Sequence, residues 1–191
     1  MNMLKKKRLI PGVLLFGYLA AACFMSCGEA ATDTTVASAE ARYSKLSNPA
    51  SGEVKASRED LTAAMQDLAA AYLAFADQHP DAPETPERLY KAAELFQVNL
   101  LDVNQALEIY DRIFARYPDH KRAANSLFTK AYVYHNTVHD LDMARASYLQ
   151  FIEKYPDHEL AAHAQFELDN LGLSAREALE RIQARPDTVS E

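Results

Sequence analysis

The chain has 191 residues with 20 basic and 27 acidic side chains, a formal charge of -7. Such an acidic balance argues against nucleic acid, which selects for basic grooves. Five glycines, none of them clustered, leave no phosphate-cradling loop and no Gly-x-Ser-x-Gly nucleophile turn, and the only two cysteines lie near the N-terminus.

In chain order, the first element is a basic run, Lys5 to Arg8, followed by the apolar stretch "LIPGVLLFGYLAAACFMSC". This is the pattern of an export signal, and cysteines placed only at its boundary resemble a bacterial lipoprotein precursor. Residues 1–27 are expected to be a lipoprotein signal peptide with lipidation at Cys27. Cys23 is the rival, but a polar tail begins at Gly28-Glu29, whereas Phe24-Met25 follow Cys23. An uncleaved membrane anchor is the plainer alternative, since the apolar length is near the lower limit for a span. Removing the four cations at positions 5 to 8 leaves 16 basic against 27 acidic residues, or -11. Anionic lipid would not attract such a surface, which leaves acyl chains as the membrane attachment. Residues 28–56, rich in Ala, Ser and Thr without sustained periodicity, are expected to be a flexible tether.

Residues 57–185 carry a repeat. "YPDH" occurs at Tyr117 to His120 and again at Tyr155 to His158, 38 residues apart, and "HPDA" at His79 to Ala82 precedes them at the same interval. Aligned on this period, Tyr90 falls under Phe128 and Phe166, Ala93 under Ala131, Ala106 under Ala144, and Tyr72 under Tyr110 and Tyr148. Leu61, Met65, Leu68, Tyr72 and Phe75 form one stripe of an α-helix, and so do Ala106, Tyr110, Ile113 and Phe114. Thr85-Pro86-Glu87 predicts a helix start with Thr85 as N-cap; Asp102 with Gln105, and Ser174 with Glu177, have capping-box spacing. Each unit is predicted to be two antiparallel helices, with a half unit before the first His-Pro-Asp. Tyr-Pro closes the second helix, and Asp119 and Asp157 are expected to cap or turn ahead of the next one. Residues 186–191 are expected to be a disordered tail.

The register Ala-x3-aromatic-x7-Pro (Ala106, Tyr110, Pro118; Ala144, Tyr148, Pro156), with Leu127, Ala131 and Tyr134 in a first helix, resembles the tetratricopeptide repeat. The resemblance implies an all-α solenoid of antiparallel helix pairs. The unit is four residues longer than the usual thirty-four, and Lys130 stands where a Leu is expected. The extra residues are expected in the connections. The wording after a lipidated cysteine is similar to the lipoproteins of the outer-membrane β-barrel assembly machinery and to the Tol-Pal coordinator proteins. That implies a lipid-anchored protein of the bacterial envelope, in the outer membrane and facing the periplasm.

Catalytic and cofactor-binding constellations are not found. His135 and His139 in "HNTVH" have metal-pair spacing, but Asn136 stands where a zinc hydrolase places its glutamate base. A polar turn with Asp140 capping the next helix explains these residues more simply. His120 and His158 sit on stacked units about 8 to 10 Å apart, too far to share an ion. No metal and no cofactor are expected, and function falls to a surface. The resemblance implies a groove lined by first helices, placing Tyr90, Glu94, Gln97, Phe128, Tyr132 and His135 as contacts for a protein partner. Core packing competes for Tyr90 and Phe128, which recur in register with Phe166. The expected function is an adaptor or scaffold in envelope assembly; a structural subunit of a stable outer-membrane complex is the alternative, and a metal-dependent enzyme a distant one.

Overall fold

A computed structural model describes residues 33–48 and 56–184. Among these residues the chain is all-α, without a strand. Helix α1 spans 33–47, α2 Arg58–Gln78, α3 Thr85–Glu94, α4 Val103–Arg116, α5 Lys121–Val133, α6 Leu141–Lys154, α7 Ala161–Asp169 and α8 Ala175–Ala184. Consecutive helices from α2 to α7 pack against each other, and α3 also touches α5. That is the arrangement of a tetratricopeptide-like helical repeat, with α3/α4 and α5/α6 as consecutive pairs.

The predicted stripes build the core. Ala106, Tyr110 and Ile113 of α4, and Ala144, Tyr148 and Phe151 of α6, are wholly buried. Small residues between the large ones let helix backbones approach: Ala93 and Ala131, equivalent positions on α3 and α5, have no exposed surface. Burying each Leu, Ile or Phe of these columns contributes about 1.5–3 kcal/mol. The apolar interior falls into two clusters, one uniting α1 to α4 and one centred on α5, α6 and α7.

The YPDH motif closes one helix and opens another. Tyr117 N–H and Tyr155 N–H donate to Ile113 O and Phe151 O at the ends of α4 and α6. Asp119 and Asp157 lie in the turns, and the cap of α5 is the histidine rather than the aspartate. His120 Nδ1 accepts from Arg122 N at 3.2 Å, and His158 Nδ1 accepts from Leu160 N at 3.1 Å. The His120 ring thus satisfies one of the four free amides at the start of α5, while the His158 ring makes the same bond in the turn just before α7. Where the first copy has Ala82, the entry differs: Thr85 lies inside α3 rather than at its N-cap, and its Oγ1 donates to His79 O at 2.6 Å. Asp102 and Asp140 cap α4 and α6 through Gln105 N and Met143 N, and Ser174 and Glu177 form a reciprocal capping box at α8.

Two expectations are corrected. The four extra residues do not lengthen the connections; they sit in the first helix of each pair. Helices α3 and α5 each end in a π-helical turn, Leu95–Leu100 and Tyr134–Val138. Each turn is closed by a left-handed residue, Leu101 (φ 57°) and His139 (φ 60°), and by a bond from Asp102 N to Phe96 O or Asp140 N to Tyr134 O. Helix α7 has no such turn, and Gly172 (φ 82°) follows it. Cap-to-cap spacing accordingly falls from 38 (Asp102 to Asp140) to 34 (Asp140 to Ser174).

The second correction concerns the tether. Residues 33–47 of the segment 28–56 form a helix that packs on the domain. Val36 is 2% exposed, within the N-terminal cluster beside Ala39 and Tyr43. Asp33 pairs with Arg88, Glu40 with Tyr72 and Lys91, and Arg42 with Asp67. Helix α1 therefore runs antiparallel to α2 and parallel to α3, which is the first-helix position of the half unit. Its stripe (Val36, Ala39, Tyr43) has helical spacing but only one large member, too weak a signal among Ala, Ser and Thr. The expected signal peptide, residues 28–32 and 49–55, and residue 185 with the expected tail 186–191 lie outside the described residues.

Candidate partner-binding face

The parallel first helices α1, α3, α5 and α7 present three junctions, and clefts lie at the two outer ones. A cleft of about 320 Å³ between α1 and α3 is bordered by Glu40, Tyr43, Tyr72, Lys91 and Glu94. A cleft of about 360 Å³ between α5 and α7 is lined by Phe128, Tyr132, His163, Phe166 and Glu167. The middle junction is filled: Tyr90 Oη lies 3.2 Å from Thr129 Oγ1, and Arg122 forms a two-pronged bond to Glu87 at 2.5 and 2.8 Å. These bonds hold the Glu87 carboxyl below its usual range.

The six predicted contact residues do not converge on one site. Tyr132, 44% exposed, and half-buried Phe128 line the α5/α7 cleft. Phe128 also packs edge-on against Tyr148 and Phe151, at 5.9 and 5.6 Å between ring centres. Glu94 belongs to the other cleft. Partial burial raises its carboxyl pKa, Arg122 opposes that rise, and nearby Glu87 adds to it. Gln97 turns inward, its Oε1 accepting from Tyr110 Oη at 2.8 Å. Tyr90 is only 7% exposed and packs its ring at a tilt against Tyr110, so it is a core residue. His135 is turned toward α7: its Nδ1 lies 3.3 Å from Glu167 Oε2 but makes no hydrogen bond.

Residues from α1 and α7 complete the clefts and were missed as contacts. Phe166 shares a column with Tyr90 and Phe128, yet the column opens along the stack from 7% exposed at Tyr90 to 42% at Phe166. Repetition alone suggests packing; position at the end of the stack decides exposure. His139 Nδ1 lies 3.2 Å from His135 O, in the polar turn ahead of Asp140, and among the described residues no three His, Cys, Asp or Glu side chains gather as a metal site. Also among them, no helix is long and apolar enough to cross a membrane. Cys27 lies outside the described residues.

The inner tyrosines differ in a way that bears on the clefts. Tyr72 Oη donates to Glu40 Oε1 at 2.5 Å and Tyr110 Oη to Gln97, whereas the buried Tyr148 Oη has no hydrogen-bond partner. Burial above all raises the pKa of all three phenols; for Tyr148 the nearby Glu167 and Tyr132 add to it.

Residues 89–120, from Leu89 on α3 through α4 to the histidine cap of α5, match the family model of the tetratricopeptide repeat. Over those residues the chain is similar to a tetratricopeptide repeat. No curated protein matches the chain. Tetratricopeptide repeats typically serve as protein-binding scaffolds rather than catalysts, and in this chain the repeat is the pair that separates the two clefts.

Proposed function

We propose that this protein is an adaptor that holds a protein partner on the face formed by its first helices, while a lipid on Cys27 keeps it at a bacterial envelope membrane. The observation that supports the reading best is the pairing of a matched tetratricopeptide repeat with exposed aromatic side chains, Tyr132 and Phe166, on that face. Exposed aromatics set in a cleft are the usual anchors of protein interfaces. The export-type N-terminus and the boundary at Ser26-Cys27 support the anchoring. The likeness to outer-membrane assembly lipoproteins and Tol-Pal coordinators favours a role in envelope assembly, on the periplasmic side of the outer membrane.

Affinity capture from detergent-solubilised membranes tests the reading. Tyr132→Ala is expected to lose the partner while its helicity and melting stay unchanged; undiminished capture would remove Tyr132 from the interface. Cys27→Ser is expected to move the protein from the membrane fraction into solution or to leave an unprocessed precursor. Normal processing with unchanged membrane attachment would overturn the anchor assignment.

A further inference from the structure

At the first two junctions of the face, a cation of the chain itself lies over an aromatic ring and against a carboxylate of a neighbouring helix. Between α1 and α3, the Arg88 guanidinium is 3.7 Å from the centre of the Phe75 ring and 2.5 Å from Asp33. Lys91 Nζ is 5.6 Å from the centre of the Tyr72 ring and 3.6 Å from Glu40. Between α3 and α5, the Arg122 guanidinium lies 4.1 Å from the centre of the Tyr90 ring while it grips Glu87. Ring face and carboxylate together replace the water that a cation gives up.

The α5/α7 junction has the rings and the carboxylate without the cation. Phe128, Tyr132 and Phe166 surround Glu167, and none of the five lining residues is Lys or Arg. Helix α7 carries neither residue type along its length. In the 38-residue register Arg122 is followed by Leu160, and Lys91 by Thr129 and then by Glu167 itself. The group facing Glu167 is His135 Nδ1, at 3.3 Å without a hydrogen bond, and His163 stands on the cleft wall.

We infer that the α5/α7 cleft takes a basic side chain, arginine or lysine, from the protein partner, its charge on Glu167 and its stem between Tyr132 and Phe166. This rests on the partner-binding reading above and gives the partner a chemistry. The acidic balance of the chain outside residues 1–27 acts in the same direction by drawing a basic segment toward the face.

The test uses two heptapeptides, acetyl-Ala-Leu-Ala-Arg-Ala-Leu-Ala-amide and the same peptide with citrulline, an uncharged near-isostere, in place of arginine. At pH 8, where imidazoles in general are neutral, aromatic NMR signals of Tyr132 and Phe166 are followed during titration. The arginine peptide is expected to shift both rings saturably and to bind about tenfold more tightly than the citrulline peptide. Glu167→Gln should erase that difference, and His163→Lys, which supplies a cation from within, should abolish binding; both should melt as the wild type does. Equal binding of the two peptides in this cleft would overturn the cation assignment and leave the partner-binding reading standing. Arginine-peptide shifts confined to the Glu40/Glu94 cleft, or none at either cleft, would also overturn it. Partner capture by Tyr132→Ala reports on the adaptor reading separately.

Discussion

The N-terminal and C-terminal junctions use the same columns of residues and finish them differently. Tyr110 donates to Gln97, and Tyr117 donates to Pro80 O at 2.8 Å. One period later, Tyr148 and Tyr155 keep buried hydroxyls with no hydrogen-bond partner. Likewise Arg112 of α4 reaches back to Asp77 of α2 at 2.8 Å, while Gln150 and Ala115 occupy the equivalent positions between α6 and α4. A repeat fixes the backbone frame, and the polar details at each junction decide whether it is closed by the chain or left for something else. The N-terminal half spends its cations and hydroxyls internally. The C-terminal half keeps aromatic surface and a carboxylate, Glu167, with no Lys or Arg lining its cleft.

The largest expected effect lies inside the shared frame. Tyr148→Ala should cost about 3–5 kcal/mol, because it removes a fully buried aromatic from the inner column. Tyr132→Ala, a few positions from it in the fold but exposed, should change stability by no more than about 0.5 kcal/mol. Thermal or urea unfolding measures both; equal losses would mean that Tyr132 is core and the face is misassigned.

A smaller pair of substitutions addresses the difference between the junctions directly. Tyr110→Phe removes one partner of a made hydrogen bond and should destabilise by about 0.5–1.5 kcal/mol, whereas Tyr148→Phe removes a hydroxyl that has none and should be neutral or stabilising. Matching losses for the two would show that the junctions are polar in the same way. Smaller still is the effect at the π turn. Leu101 holds a left-handed backbone with 75% of its surface exposed, a conformation that costs a bulky side chain about 1–2 kcal/mol and glycine almost nothing. The greater freedom of glycine in the unfolded chain offsets about 0.5–1 kcal/mol of that. Leu101→Gly should therefore raise the unfolding free energy slightly, and a marked loss would show that the leucine side chain holds the turn.

Much of the frame was legible in the sequence because it rests on periodicity. The 38-residue interval, the stripes through Tyr72, Tyr110 and Tyr148, and the caps at Asp102, Asp140 and Ser174 all follow from spacing and local chemistry. Three features were not legible. Helix α1 has a stripe with one large residue, and its docking depends on charge pairs with α2 and α3 that are distant in sequence. The π turns look like ordinary extra length, since a widened turn needs no signature residue, and the left-handed positions hold Leu101 and His139 where a glycine would have been a signal. The histidine cap that the first YPDH motif gives α5 was hidden behind the more usual aspartate. The face was legible only in part: Tyr132 and Phe128 reach the α5/α7 cleft, but Tyr90 and Gln97 are turned inward by neighbours that only the fold supplies.

The central claim, that partners bind across the first helices at their open C-terminal junction, is tested most directly by photo-crosslinking in living cells. A photoreactive amino acid is placed singly at Tyr132, at Phe166, and at Leu149, an exposed residue of the second helix α6. The expected result is one protein adduct of the same mass at 132 and 166 and none at 149. Adducts at 149 with none at 132 or 166 would contradict the account and move binding to the opposite face.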